Sequence, residues 1–360
     1  MSGVISILVA LLVFSLLVVV HEAGHFLVAK KNGVYVEEFS VGMGPLLVSK
    51  TIGETQYSLR ALPIGGYCRM LGEDEEEQSP NSFQAKSVWA RMAILVMGPI
   101  MNFILGFFLI LFVSVSAAGI TFPQVQAVLE DSGAAAAGLE AGDRIVRADG
   151  QSVGTYGELY LVMDGCQGED VDLVVERDGQ KLEMTVTPTQ SADGRWIVGF
   201  TPVVKTGLLA PRVDGYAQAG LGETLYDSVC TMRYYVKSVV VGFVRIFTLR
   251  AQPEEVTGAI GIVQIMGDTV QEGMRYSLFT TLRALANIAA LLSVNLGVIN
   301  LFPIPAMDGG RLLFLILEAI RRKPINPNME GMIHFIGFAL LMAFMVVIAY
   351  QDIVRIATGG

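Results

Sequence analysis

The N-terminal segment constrains this chain more than any other. From Val4 to Val20 no charged side chain occurs, and the apolar run continues through His21-Glu22-Ala23-Gly24-His25 to Ala29. A helix rises about 1.5 Å per residue, so this segment is long enough to cross the hydrocarbon of a bilayer. No positive residue precedes the run and no small-x-small cleavage pattern follows it, so it reads as a retained span rather than a signal peptide. Further candidate spans lie between Met92 and Ala118, from about Ala284 to Phe302 with an apolar continuation to Ile320, and from Met332 to Tyr350. The composition agrees, with 52% hydrophobic and only 16% charged residues, far from the balance of an ordinary soluble protein.

Four crossings put both termini on one side. Lys30, Lys31, Lys86 and Arg91 flank the first two spans, and Arg321, Arg322 and Lys323 fill the third-to-fourth connection. The positive-inside bias assigns these segments to the cytoplasm and both termini to the outside. The net charge of -9 offers no basic surface to a phosphate backbone, which argues against nucleic acid as a partner. Cys68, Cys166 and Cys230 form no C-x-x-C pair, so neither a thiolate zinc site nor a disulfide framework is indicated. On this topology Cys166 and Cys230 share the oxidising side, and their pairing is left open.

Between the first two spans, Gly33 to Leu71 reads as short strands punctuated by Gly42, Gly44, Gly53 and Gly65-Gly66, and the acidic run Glu73 to Glu77 as a solvated loop. Residues from about Phe122 to Lys205 read as a soluble insert. Asp170 to Glu176 and Lys181 to Val186 alternate about the Arg177-Asp178-Gly179-Gln180 turn, the pattern of a hairpin. Upstream, Ala137-Gly138-Leu139-Glu140-Ala141-Gly142-Asp143-Arg144-Ile145 resembles the core pattern of a PDZ domain, a module that binds extended chains by strand addition. From Leu225, apolar residues at helical spacing with interspersed Arg233, Lys237 and Arg245 predict an amphipathic helix at the membrane surface or packed on the spans.

The expected fold is therefore a multi-pass α-helical membrane protein of four transmembrane helices, with a membrane-associated β re-entrant region and an inserted α+β PDZ domain. Its expected parts are residues 1–118 (two spans and the re-entrant region 33–71), 119–210 (an extracytoplasmic PDZ domain), 211–275 (an amphipathic linker) and 276–360 (two further spans).

His21-Glu22-Ala23-Gly24-His25 is H-E-x-x-H on a predicted helix, where an i,i+4 spacing brings two imidazoles to one face and lets them share one tetrahedral ion. Glu22 falls beside that ion as a candidate general base for water. Two of the chain's three histidines occupy the motif, at a depth where polar groups are costly and usually functional. A catalytic zinc needs a third protein ligand and one open position. His334, alone on the fourth span, reads as a packed or interfacial histidine. Asp308 is the better candidate, because Pro303 and Pro305 in Asn300-Leu301-Phe302-Pro303-Ile304-Pro305-Ala306-Met307-Asp308-Gly309-Gly310 must break the third span. Irregular backbone at membrane depth is tolerated only around a protein-lined or water-filled cavity.

The pairing of H-E-x-x-H in the first span with Asn-x-x-Pro-x-Pro-x-x-Asp-Gly-Gly late in the chain resembles the site-two protease family, in particular its bacterial envelope-stress branch with a PDZ insert. Phe39 to Pro45, Pro63-Ile64-Gly65-Gly66-Tyr67 and Gly98-Pro99-Ile100-Met101-Asn102-Phe103 resemble family patterns too. The resemblance implies an intramembrane zinc metalloendopeptidase in the bacterial plasma membrane, with one Zn2+ per chain held by His21, His25 and Asp308. It gives Glu22 as the base and Asn300 as a residue that positions substrate or stabilises an oxyanion. A substrate helix hides its carbonyls in i to i-4 hydrogen bonds, so the strand region around Tyr57, Gly65, Gly66 and Tyr67 is the expected edge for holding it extended. The implied partners are the lipid bilayer and single-span membrane proteins, such as an anti-sigma factor or a remnant signal peptide, after a first extracytoplasmic cut. Met307 stands where the family usually has Leu, and a single PDZ domain where some relatives have two. Two other readings are an inactive zinc-binding scaffold with a PDZ module and a transporter. Glu22 argues against the first, and the absence of a repeat relating the two halves against the second.

Overall fold

A computed structural model describes residues 2–73, 79–192, 194–248, 250, 257–323 and 325–358, so the acidic stretch Asp74–Glu77 lies outside the described residues. The chain forms two compact units, one of residues 1–106 and 239–360 and the other of residues 107–238. Among the described residues, four helices are long and apolar enough to cross a membrane: Gly3–Lys31, Val88–Ser116, Leu278–Leu301 and Met329–Ala357.

In the first unit, α1 (Ser2–Lys31) carries H-E-x-x-H in its C-terminal third. It leads into strands β1 (Val36–Ile52) and β2 (Thr55–Met70), paired antiparallel, and then α2 (Val88–Ser116). Short strands were the sequence expectation here. The structure instead has one long hairpin whose glycines sit at register shifts, where Gly42 and Gly44 take positive φ. The hairpin bends at its glycines rather than stopping. Leu46, Leu47, Val48, Ile52, Leu59 and Leu62 leave an apolar tip exposed. The returning strand follows α1: Ser15 Oγ donates to the Pro63 carbonyl at 2.5 Å, and two turns further on the Cys68 N–H donates to Glu22 Oε2 at 3.1 Å.

The second unit is built on a sheet of β3 (Ile120–Val128), β4 (Arg144–Ala148), β5 (Gln151–Ser152), β6 (Val171–Arg177), β7 (Gln180–Val186), β10 (Phe200–Thr206) and β11 (Ala217–Gln218), in the order β11-β10-β3-β4-β6-β7 with β5 beside β4. Helices α3 (Gly133–Ala136) and α4 (Tyr156–Cys166) and the short pair β8 (Thr189–Gln190) and β9 (Trp196–Ile197) complete it. The β6-β7 turn puts Asp178 and Gly179 at positive φ, the conformation a two-residue hairpin loop requires. Val125, Ile145, Leu159, Met163, Val171, Leu173, Val175 and Phe200 form the core, the inward set of alternating strands closed by the apolar face of α4. Cys166 and Cys230 are both free thiols.

Helix α5 (Leu221–Phe247) follows, then α6 (Ala259–Tyr276), α7 (Leu278–Leu301), α8 (Asp308–Arg321) and α9 (Pro327–Thr358). Gly258 gives α6 no side-chain cap, and buried Asp352 of α9 accepts from Gly258 N and Gly261 N in its place. Helix α7 opens on Ser277, which accepts from the Thr280 N–H, and ends at Leu301 because Phe302 precedes a proline and is extended. The chain re-enters helix at Asp308.

Candidate active site

The two motif histidines are brought to one point by helical spacing and held there by α2. His21 Nε2 and His25 Nε2 lie 3.1 Å apart. Asp308 Oδ2, the first residue of α8, lies 3.1 Å from His21 Nε2 and 3.4 Å from His25 Nε2. Both imidazoles are buried. The outer nitrogen of His25 faces the Ile94 carbonyl at 2.9 Å. A carbonyl can only accept, so Nδ1 carries the proton and Nε2 turns a bare lone pair toward His21 and Asp308. Pro99, inside the same helix, has no N–H to give the Leu95 carbonyl one residue further on.

Two glycines make this approach possible. A Cβ on Gly24 would lie 2.7 Å from the Met97 carbonyl carbon, and one on Gly98 would collide with His25 Nε2 and lie 2.9 Å from His21 Cε1. Any larger side chain at Gly98 would occupy the space of the imidazoles. On the other side, Gly309 lets the start of α8 fold back on the end of α7, where its Cβ would fall 2.6 Å from the Leu301 carbonyl carbon. The loop between them is held by His334 of α9, whose Nδ1 accepts from the Ala306 N–H at 2.8 Å. Ala306 adopts φ +74, a left-handed conformation that costs a non-glycine residue about 1–2 kcal/mol.

Lone pairs crowded this closely repel unless a cation lies among them. Four-coordinate zinc with ligand distances of about 2.0–2.1 Å has ligand–ligand edges of roughly 3.3 Å, close to the three separations found. Two imidazoles, one carboxylate and an open side toward a cavity form a donor set that fits catalytic zinc. Among the described residues this is the one group of three or more His, Cys, Asp or Glu side chains able to hold a metal.

The cavity beside the trio measures about 400 Å³ and is lined by His21, Glu22, His25, Tyr67, Cys68, Met307 and Asp308, among others. Glu22 thus opens onto the same space as the metal donors. Burial pushes the Cys68 thiol upward, with the Glu22 and Glu73 charges adding to it. A second cavity of about 680 Å³ shares Glu73, Leu95 and Arg311 with the first, and Arg311 Nη1 meets Glu73 Oε1 at 2.5 Å where the two share lining.

Residues 9–344 match Peptidase family M50. The chain belongs to that family. It is a zinc metalloprotease of the site-two type, and zinc is its cofactor. A Clostridium acetobutylicum protein named for zinc metalloprotease activity is 36% identical, the match covering 97% of each chain. The zinc metalloprotease RasP of Shouchella clausii is 31% identical over 98% of this chain and 99% of its own. The Bacillus subtilis protein named regulator of sigma-W protease RasP is 28% identical over the same shares. Among solved structures, the PDZ domain of an SdrC-like protein from Listeria monocytogenes matches 23% of this chain and 86% of its own, with 24% identity and a TM-score of 0.21.

Of the residues the sequence pointed to, His21, Glu22, His25, Asp308 and Tyr67 share the smaller cavity. Gly66 and Gly65 lie just before Tyr67 on β2. Tyr57 instead packs its ring against Phe26 and Phe39, 6.0 and 6.3 Å between centroids, within the hairpin base. Asn300 is buried at the end of α7 and does not line the cavity. Sequence reasoning gave no role to Gly24, Arg311 or Asn102. Gly98 and Asn102 stand in the Gly-Pro-x-x-Asn segment, whose only signal was its resemblance to a family pattern.

Proposed function

We propose that the enzyme hydrolyses a peptide bond within or near the transmembrane segment of single-span membrane proteins, with His21, His25 and Asp308 holding zinc and Glu22 as general base. The observation that carries this is the convergence of three lone-pair donors on one point beside a cavity that also holds Glu22. Zinc, when bound, supplies Lewis-acid activation of water and of the scissile carbonyl. Glu22 takes the proton from water and returns it to the leaving amine. Its hydrogen bond from Cys68 N holds the carboxylate on the cavity side of α1.

Substrate enters as a strand. Cys68 turns its N–H to Glu22, so the alternation of β2 aims Gly66 and Cys68 toward the α1 side and makes this stretch the edge on which an unwound segment can pair. Tyr67 and the small Gly65-Gly66 pair leave room for it. The family resemblance gives Asn300 as the amide that positions the substrate carbonyl; it is buried at the end of α7 rather than in the cavity wall, so this role requires the loop between α7 and α8 to shift when substrate binds. The paired cavities admit water past Arg311 and Glu73.

The inserted unit is a PDZ-type module that binds the ends left by a first extracytoplasmic cut, and anti-sigma factors and remnant signal peptides are the substrate classes this order of events suits. A relative named as a regulator of sigma-W protease supports the first of these. The enzyme resides in the bacterial plasma membrane with this module and both termini outside and the metal site toward the cytoplasmic side. The test is cleavage of a single-span substrate by wild type and Glu22→Gln with zinc measured in both. Loss of about 10²–10⁴-fold in rate with zinc retained is expected, and unaltered cleavage in the variant contradicts the assignment. Proline at Gly66 or Cys68 should abolish cleavage in stably inserted protein if the strand edge is used.

A further inference from the structure

Each metal-site histidine has an outer nitrogen, and the two are treated differently. His25 gives its Nδ1–H to the Ile94 backbone carbonyl. His21 Nδ1 faces the side-chain amide of Asn102 at 3.0 Å, with Nδ2 the nearer atom. Asn102 is fully buried, and its Oδ1 has no hydrogen-bond partner among the described residues. Its own backbone carbonyl accepts from Ser293 Oγ of α7 at 2.8 Å, which fixes the turn that carries it.

A histidine that ligates through Nε2 carries its proton on Nδ1, and that N–H needs an acceptor. An amide NH2 cannot serve. The oxygen and nitrogen of an amide are nearly the same size, so the opposite orientation fits the same space. We infer that the Asn102 amide stands turned by half a rotation in the metal-loaded enzyme, with Oδ1 accepting the Nδ1–H of His21, and that Asn102 thereby fixes the tautomer that aims the His21 Nε2 lone pair at the metal. It is a positioning residue that touches neither metal nor substrate. The choice of side chain has a consequence. A backbone carbonyl, as for His25, can only accept, whereas an amide also stabilises the wrong tautomer when it is turned the other way. His21 is therefore the ligand whose orientation depends on one side chain.

This inference rests on the assignment of His21 as a ligand, and the experiment separates the two. The full-length protein in detergent is titrated with zinc against a chelator of known affinity, for wild type, Asn102→Leu, Asn102→Asp and His21→Ala. Asn102→Leu should lower zinc affinity by about 10–100-fold, the effect of losing an outer partner of a metal-bound histidine. Asn102→Asp keeps an acceptor and should bind zinc near the wild-type value, a rescue that packing alone would not give. Nitrogen NMR of the imidazoles, tractable with three histidines in the chain, should show His21 protonated on Nδ1 in wild type and Asn102→Asp, and partly on Nε2 in metal-free Asn102→Leu. Zinc binding as tight as wild type in Asn102→Leu overturns the inference, as does Asn102→Asp losing zinc to the same extent as Asn102→Leu. Zinc retained by His21→Ala overturns the ligand assignment beneath it.

Discussion

Of the clusters that bury charge among the described residues, one in each unit shows two opposite designs. In the inserted unit, Glu158 is buried but answered on every side. Arg233 donates to it twice at 2.7 Å, Gly154 N donates at 2.7 Å, and Lys237 Nζ lies at 3.2 Å. In the membrane unit, His21, His25 and Asp308 turn ligand atoms toward one another, His25 spends its Nδ1–H on the Ile94 carbonyl, and the Cys68 N–H goes to Glu22. The first cluster is complete without a ligand. The second turns its ligand atoms on one another and leaves room for a cation among them. Burial of charge therefore does not by itself mark a site; an unbalanced set of donors facing open space does.

That contrast can be broken experimentally. The largest effect is expected from chelation: removing zinc should abolish cleavage, restoring it should bring activity back, and amide exchange in β3–β10 should not change. Activity surviving exhaustive chelation would remove the distinction.

Next in size, Arg233→Ala should destabilise the inserted unit by about 3 kcal/mol, because Glu158 is left with only part of its compensation. Faster hydrogen exchange in α4, with zinc content unaltered, is the expected readout. Replacing both charges, Glu158→Gln with Arg233→Met, should cost far less, since it leaves no buried carboxylate unpaired and Lys237 reaches solvent and the Ser152 carbonyl.

The same cluster predicts a pH dependence. Burial pushes the Glu158 carboxyl up, but Arg233, the Gly154 N–H and Lys237 outweigh it and hold the group below its ordinary 4.5. A carboxyl lowered on folding contributes stability that is present above its ordinary value and lost as pH falls through the folded value. Asp143, held low by Arg177, acts in the same direction. Exchange protection of the inserted unit should thus decline as pH drops below about 4.5, and protection that rises instead would contradict the ion-pair description.

The smallest effect concerns the loop that delivers Asp308. Ala306→Gly relieves the positive φ and should raise stability by no more than about 1 kcal/mol, while leaving zinc affinity near wild type. A large loss of zinc affinity would show that the alanine methyl group itself holds the loop.

Much of the open cluster was legible in the sequence because it is written in local spacing. H-E-x-x-H places two imidazoles by helical geometry alone, and two prolines before Asp308 announce a break where a carboxylate can leave the helix. The closed cluster was not legible: Glu158 and Arg233 are 75 residues apart, and nothing local ties an acid on α4 to a base on α5. Asn102 and His21 have the same difficulty across 81 residues. Helix bounds moved by a few residues for a similar reason, since Ser277 caps α7 seven residues before the span Ala284 to Phe302 begins by hydropathy. Glycines between short apolar runs predict strand ends, whereas in the paired strands β1 and β2 they sit at bulges and the hairpin continues through them. The lone histidine of the fourth span packs against Phe314, and its bond to the Ala306 N–H follows from how α9 meets the loop, which no local pattern around His334 encodes.

The most direct test of the account is zinc stoichiometry by atomic emission on purified full-length wild type and Asp308→Ala, after equilibration with the same chelator. One zinc per chain in wild type and essentially none in the variant is the predicted result. One zinc per chain in both, held with equal affinity, would contradict the claim that Asp308 completes the site begun by His21 and His25.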